Sequence, residues 1–247
     1  MRTKEEWKKA EPDSMFHRLI ELPILQGISL NNLEEILAGV PLHFKTIPAN
    51  RVFFKQDDSC NGISFVLRGK FSVTHKEVDN RYSISEEFED DFTIEPTSMF
   101  GLKSTYFATY KAITELQLLF IDKASFLLLL SKFTIVQMNI FNMMNARTQV
   151  VQKRNWVVSP NDIGQRLVHF TLSRLERPEG PKTLLVSYRT LGRLLNSSHI
   201  TVAQIAKKWE EEGLVELSNK TIHIPDMEKL RPSVMDVEEV IDDIDED

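Results

Sequence analysis

The stretch SYRTLGRLLNSSHITVAQIAKKWEEEGLVELSNKTIHI, from Ser187 to Ile224, decides the fold of the C-terminal part of this chain. Leu191, Leu194 and Leu195 fall on one face of a first helix. A polar break follows at Asn196-Ser197-Ser198, and a second helical pattern turns Val202, Ile205, Ala206 and Trp209 inward. Gly213 stops that helix, because glycine tolerates the left-handed cap conformation. Leu214 to Leu217, then Ser218-Asn219-Lys220, then Thr221 to Ile224 read as strand, turn and strand. Two short helices joined by a tight polar turn and followed by a hairpin make a winged helix-turn-helix. The second helix of such a unit enters the DNA major groove N-terminus first.

Working outward, 247 residues suit about two domains. The hydrophobic share of 42% and charged share of 27% are those of a soluble globular protein. No apolar run reaches the roughly 20 residues that span a bilayer, and no basic lead precedes an apolar stretch at the start, so a cytoplasmic location is expected. Cys60 is the only cysteine, which excludes an intrachain disulfide and an all-cysteine metal or iron–sulfur cluster within one chain. A passive, partly buried role is expected for it. The net charge of −6 is uneven: the last fourteen residues, Val234 to Asp247, hold eight acidic residues and no basic one, which leaves the rest at +2. A DNA-binding face needs only a local basic patch. The tail is expected to be disordered; an acidic amphipathic helix with Val237, Val240, Ile241 and Ile244, binding a partner, is the alternative.

Met1 to Ala10 is a polar lead, and Leu30 to Leu37 has helical spacing. From Phe44 the texture changes to short β-type runs: Phe44–Ile47, Val52–Lys55, Ile63–Leu67, Lys70–Lys76, Tyr82–Phe88 and Ile113–Ile121. Many short strands at this spacing indicate a barrel or a double-sheet roll. Lys123 to Val157 lacks Pro and Gly and reads as helix, too long to run unbroken, with a break expected near Lys132-Phe133-Thr134. Phe133, Val136, Ile140, Met143, Arg147 and Val150 alternate at spacings of three and four, the seam of a coiled coil. Two half-site readers need a two-fold axis, so this seam is expected to be the interface of a parallel homodimer. Packing of the same stripe on the chain's own roll stays open. Ser159-Pro160-Asn161-Asp162 reads as a hinge and helix start. Ile163, Leu167, Phe170, Leu172 and Leu175 form the next apolar face, and Thr183–Val186 is a strand leading into the first helix of the reader.

A roll, a long helix and a winged helix in that order resemble the cyclic-AMP receptor protein and fumarate-nitrate reduction regulator superfamily of bacterial transcription regulators. Phe65-Val66-Leu67-Arg68-Gly69 resembles the family's strand–turn element. Ala146-Arg147 with Gln149-Val150 resembles its dimer helix, and Gln165-Arg166-Leu167 the first helix of its DNA domain. The resemblance implies an α+β fold: an N-terminal cyclic-nucleotide-binding-like β-roll, a long dimerisation helix and a C-terminal winged helix-turn-helix. The segments expected are 1–130 for the sensor, 131–157 for the dimer helix and hinge, 158–233 for the DNA-binding domain and 234–247 for the tail.

The family's ligand cassette, Phe-Gly-Glu and then Arg-Ser-Ala, corresponds here to Phe100-Gly101-Leu102 and Tyr110-Lys111-Ala112. Leu102 offers no acceptor for a ribose hydroxyl, and Tyr110 cannot supply the cationic fork for a cyclic phosphate. Lys111 is a point charge on the other side of the strand. The adenine-contacting pair of the dimer helix becomes Val151-Gln152, and a glycine before the roll becomes Asp57. Losing a buried charge-assisted pair costs roughly 2–5 kcal/mol, so cyclic AMP is not expected as the effector and no cofactor is expected. A pocket lined by Phe100, Tyr106, Tyr110 and Val151 is expected to take an apolar effector or none. His17, His43, His75 and His169 show no metal or haem ligand spacing.

Within the reader, Ser197-Ser198-His199-Ile200-Thr201 matches the family's Cys-Ser-Arg-Glu-Thr, and Gln204 stands at its later base-facing Arg. His199 can donate to guanine, Gln204 suits adenine and Ile200 a thymine methyl, so a site richer in A·T pairs is expected. Ser187, Arg189, Arg193, Ser198, Thr201, Lys207 and Lys220 are expected on phosphates, which set register without reading sequence. Glu210-Glu211-Glu212 is expected to lie away from DNA as a solvated helix end. The partners expected are a two-fold symmetric duplex, a second copy of the chain and RNA polymerase. No nucleophile–base pair, metal signature or phosphate loop points to an enzyme. An interaction protein that keeps the fold without ligand or DNA binding is the competing reading.

Overall fold

The computed structural model describes residues 15–155 and 161–230. The polar lead, Ser159 and Pro160 of the expected hinge, and the acidic tail lie outside the described residues. The elements are α1 (Met15–Glu21), a 3-10 turn (Pro23–Leu25), α2 (Leu30–Gly39), β1 (His43–Ile47), β2 (Val52–Phe54), β3 (Gly62–Arg68), β4 (Lys70–Lys76), β5 (Tyr82–Glu89) and β6 (Phe92–Ile94). They continue with β7 (Thr109–Ala112), β8 (Leu116–Asp122), α3 (Lys123–Lys132), α4 (Thr134–Asn155), α5 (Ile163–Leu172), β9 (Lys182–Val186), α6 (Tyr188–Leu194), α7 (His199–Glu211), β10 (Glu216–Ser218), β11 (Thr221–Ile224) and α8 (Met227–Leu230). The chain forms two compact units. One holds the described residues up to Phe71 with Glu89–Phe107 and Lys111–Val151; the other holds Ser72–Phe88, Ala108–Tyr110 and the described residues from Gln152 on.

In the first unit, β1, β8, β3 and β6 form an antiparallel sheet in that order. β3 is the central strand. Its Gly62-Ile63-Ser64-Phe65-Val66-Leu67 run is buried throughout, which explains why it reads as continuously apolar rather than alternating. A Cβ at Gly62 would meet the Ile121 carbonyl at 2.3 Å, so β3 and β8 approach too closely there for any side chain. Asp57 has φ +69, the left-handed region that glycine occupies without strain. The single run expected at Ile113–Ile121 is β8 alone, starting at Leu116; the short β6 and β7 were not legible.

The long helix breaks where its sequence suggests. α3 is capped by Asp122, whose carboxylate accepts from the Ala124 and Ser125 amides, and it ends at Phe133, whose backbone is extended at φ −124. α4 then leaves at 115° to α3. Among the described residues, no single helix is long and apolar enough to cross a membrane. The break is explained by burial: Phe133 is 6% exposed and Val136 0%, so the junction is pinned into the core of its own unit. Asn139 adds hydrogen bonds from Nδ2 to the Ile24 and Gln26 carbonyls.

That packing corrects the expected dimer seam. Phe133, Val136 and Ile140 are buried within the chain's own core. They are already covered and have no surface left for a partner. Met143 and Arg147 are half-buried and Val150 is exposed. Towards its start α4 leaves Ile135, Met138 and Phe141 outside and towards its end Val150 and Val151, with Leu127 and Leu128 outside on α3.

In the second unit, strands run in the order β10-β11-β9-β5-β4. Leu184 lies opposite both Ile84 on β5 and Ile222 on β11, and all three are buried. One face of this sheet therefore contributes to a core with Leu167, Val168, Leu191, Val202 and Trp209. The segment expected as one sensor region, 1–130, is thus shared between the units, because β5 gives β9 a second strand partner.

Candidate nucleic-acid interface

The reader is assembled by caps. Ser187 accepts from the Thr190 amide and starts α6. Leu195 closes α6, and Asn196 turns the chain at φ +49, a conformation asparagine tolerates better than most residues. Ser198 then accepts from the Thr201 amide at 3.0 Å and starts α7. Each hydroxyl satisfies an amide that a helix N-terminus leaves without an internal partner, typically for about 1 kcal/mol. At the far end, Gly213 has φ +71, its amide donates to Glu210 and the Leu214 amide to Trp209. This paired capping pattern releases the chain into the wing.

Two close approaches fix the angle between the helices. A Cβ at Gly192 would meet the Ser197 carbonyl at 2.8 Å and the His199 amide at 3.1 Å, and the Ser197 amide itself donates to the Gly192 carbonyl. A Cβ at Gly164 would sit 3.3 Å from the Trp209 ring. Leu191, Val202 and Ala206 are fully buried between these contacts. Leu194, expected inward, is 39% exposed, since it sits one position past the buried stripe of α6. Arg166 Nη1 donates to the Leu195 carbonyl at 2.7 Å, tying α5 to the end of α6. In the sequence Arg166 stands only within a stretch that resembles the family, and nothing there announces this brace.

The exposed side of α7 carries the expected base readers. His199, Ile200 and Gln204 are all exposed, and Ile200 is 59% exposed with no core to enter. An isolated isoleucine in water at a helix N-terminus is unfavourable unless a partner covers it. Arg189, Arg193, Lys207 and Lys220 are exposed as well, while Ser187 and Thr201 are half-buried. Ser187, Ser198 and Thr201 use their hydroxyls within the chain: Ser187 meets Thr190 at 2.9 Å and Ser198 meets Thr201 at 2.8 Å. The wing turn is Asn219-Lys220 between paired Ser218 and Thr221, with Lys220 at φ +59.

Glu210 is exposed with Glu211 and Glu212, as a solvated helix end is, and it also makes a contact. Its Oε1 accepts from the Leu217 amide at 3.2 Å and so fastens α7 to the wing strand β10, while Glu212 pairs with Lys208 at 3.8 Å. A run of three glutamates gave no sign that one of them braces the wing.

The expected effector residues do not share one environment. Tyr106 and Tyr110 are 4% and 1% exposed, Phe100 is half-buried, and Leu102 and Val151 stand out in solvent with Gly101, Lys111 and Gln152. Leu102 is carried outward by the turn at Gly101, whose φ is +102. Tyr106 fills the interior of its unit, stacked on Phe54 with ring centres 4.4 Å apart. Burial, aided by the neighbouring Cys60, pushes its phenol far above the usual range. Cys60 is fully buried, its thiol donates to the Gly62 carbonyl at 3.3 Å, and burial raises its pKa. Beside them the buried Glu95 accepts from the Ser98 hydroxyl and, at 2.7 Å, from the Phe107 amide. Lys123 lies 4.7 Å over the Phe100 ring and donates to the Met99 carbonyl.

Comparison with known proteins agrees with this geometry. Residues 44–133 match the cyclic nucleotide-binding domain, and residues 165–232 match the Crp-like helix-turn-helix domain. No curated protein matches the chain. Among solved structures, a transcriptional regulator of the crp/fnr family from Eubacterium rectale is 16% identical with a TM-score of 0.50, covering 85% of this chain and 97% of that one. The global regulator CLP of Xanthomonas campestris, described as c-di-GMP responsive, is 20% identical with a TM-score of 0.49, over 80% of this chain and 99% of the other. The catabolite activator protein of Thermus thermophilus is 17% identical with a TM-score of 0.47, over 85% and 96%. These likenesses concern the fold alone. With both domain matches present in this order, the chain belongs to the Crp/Fnr superfamily of transcription regulators.

Proposed function

We propose that the protein is a homodimeric, sequence-specific DNA-binding regulator located in the cytoplasm, not an enzyme, and that cyclic AMP is not its effector. The observation that carries the DNA reading is the N-terminus of α7. His199, Ile200 and Gln204 are exposed there on a helix whose angle is fixed by Gly192 and whose first turn is capped by Ser198. A rigid helix with three solvent-facing side chains at its leading end suits the major groove. Arg189, Arg193, Lys207 and Lys220 supply the phosphate contacts, while Ser187, Ser198 and Thr201 hold the two helices at their caps and act on phosphates only through what their hydroxyls have left to share.

A second copy of the chain would cover Ile135, Met138 and Phe141, apolar side chains that the first half of α4 leaves exposed. The exposed Leu102 and buried Tyr110 leave no carboxylate and no guanidinium at the places where the family resemblance asks for them. RNA polymerase is a partner by analogy with transcription regulators as a class.

Selection of bound sequences from random duplex DNA with purified protein tests this reading. It predicts a two-fold symmetric site with half-sites about 10 bp apart. Recovery of unselected DNA would favour an interaction protein that keeps the fold.

A further inference from the structure

The reader of the second unit combines cations with uncovered apolar surface. Arg189 and Arg193 on α6, Lys207 on α7 and Lys220 in the wing turn are exposed, and among the described residues none of the four is ion-paired. Lys208 differs, with Glu212 at 3.8 Å. The acidic residues of α7, Glu210 to Glu212, gather at the end of the helix away from His199. Ile200, Gln204 and Lys207 recur at spacings of four and three, so one stripe of α7 carries both an isoleucine that is 59% exposed and a cation. Leu194 on α6 is 39% exposed as well.

A stretch of the chain's own sequence has the matching composition. Residues 236–247 hold eight carboxylates, no cation, and Val237, Val240, Ile241 and Ile244 interleaved with them. Such a segment offers anions to the cations of the reader and aliphatic side chains to Ile200. It also joins the chain within the same unit. Leu230, where the described residues end, is buried in one core with Leu191 of α6 and Val202 of α7. Residues 231–247 span at most about 58 Å when extended, whereas a unit of about 100 residues has a radius of gyration of about 13 Å. The acidic stretch therefore reaches α6, α7 and the wing without leaving its own unit.

We propose that residues 236–247 dock on the reader of their own unit, carboxylates against Arg189, Arg193, Lys207 and Lys220 and aliphatic side chains over Ile200, and that duplex DNA must displace them. This rests on the DNA-binding reading above and adds an internal competitor to it, in which carboxylates stand in for phosphates. It also gives the uneven charge a role: the −8 of this stretch is held against the surface that the duplex needs.

Three full-length proteins test the proposal. They are wild type; an amide variant with Asp236→Asn, Glu238→Gln, Glu239→Gln, Asp242→Asn, Asp243→Asn, Asp245→Asn, Glu246→Gln and Asp247→Asn; and a serine variant with Val240→Ser, Ile241→Ser and Ile244→Ser, which keeps all eight acids. Without DNA, the δ1-methyl NMR signal of Ile200 should move in both variants to a common position, while that of the buried Ile84 stays. Binding to one selected duplex should be about tenfold tighter for the amide variant at about 0.1 M salt, the product of four exposed ion pairs at a factor of about 1.8 each. That gain should shrink as salt rises. The serine variant should gain about threefold, from the loss of roughly one buried methylene contact at Ile200. An Ile200 signal at the same place in all three proteins overturns the docking. So does a serine variant that binds like wild type while the amide variant binds more tightly, since general repulsion of DNA then explains the gain. A wild-type signal that reaches the variant position on dilution places the acidic stretch of another chain on the reader and overturns docking within the unit. If no protein binds any duplex, the DNA-binding reading fails, and the Ile200 signal alone decides the docking.

Discussion

Glu86 on β5 lies directly opposite Lys182 on β9, and their charged groups meet at 3.0 Å with both side chains fully buried. The pair is satisfied on all sides. Glu86 also accepts from the Glu176 amide at 2.8 Å, and Lys182 donates to the Glu179 carbonyl at 2.7 Å. Burial lowers the lysine pKa and the carboxylate works against that shift. Removing one partner leaves the other charged in the core, at a cost of about 3–5 kcal/mol. Lys182→Met should therefore destabilise the protein by about that much in urea denaturation, and Glu86→Gln combined with Lys182→Met should recover a large part of the loss. A double variant less stable than the sum of the singles would refute this description of the pair.

Gly192 makes the reader angle sensitive to one methyl group. Gly192→Ala places a Cβ against two backbone atoms that cannot rotate away, the Ser197 carbonyl and the His199 amide. Overpacking of this kind costs about 1–3 kcal/mol. Affinity for the selected duplex should fall further than stability does, because α7 must shift to make room. Retained affinity at the wild-type level would mean that the angle between α6 and α7 is not what positions the reader.

The expected dimer face separates from the buried face of the same helix. Phe141→Asp should give a monomer by analytical ultracentrifugation with an unchanged circular dichroism spectrum, since Phe141 is 56% exposed. Val136→Asp, at a position that is 0% exposed, should unfold the first unit instead. A Phe141→Asp dimer would place the interface elsewhere.

His169 sets a pH dependence with a definite sign. Its pKa is lowered by burial and by the nearby Arg174. The unfolded chain then binds a proton that the folded chain does not, between the depressed folded value and the usual 6.5. The contribution of His169 is present above that window and is lost as pH falls through it. The difference in unfolding free energy between wild type and His169→Gln should shift against wild type on going from about pH 7 to about pH 5.

Much of the reader was legible because its signals are local. The polar break before Ser198, the stop at Gly213 and the wing around Lys220 each depend on a few neighbouring residues, whereas Ser187 and Ser198 read as phosphate contacts and only the structure shows them capping α6 and α7. The break at Phe133 was legible for the same reason. What the sequence hid depends on distant partners. Phe133, Val136 and Ile140 have the spacing of a dimer seam whether they face a second chain or their own core, and periodicity cannot distinguish the two. The pairing of β5 with β9, and with it the Glu86–Lys182 contact across ninety-six positions, has no local signature. The ligand cassette misled in a different way: a string of matching residues says nothing about whether Leu102 turns in or out.

The central claim is that α7 reads bases through His199, Ile200 and Gln204. It is tested most directly by titrating wild type and His199→Ala against a panel of selected duplexes, each changed at one base pair of the half-site. A side chain that hydrogen-bonds a base contributes about 1–3 kcal/mol of discrimination at that position. His199→Ala should lose this discrimination at one position in each half-site and keep the wild-type pattern at the others. Uniform weakening across the panel, or no change at any position, would contradict the account.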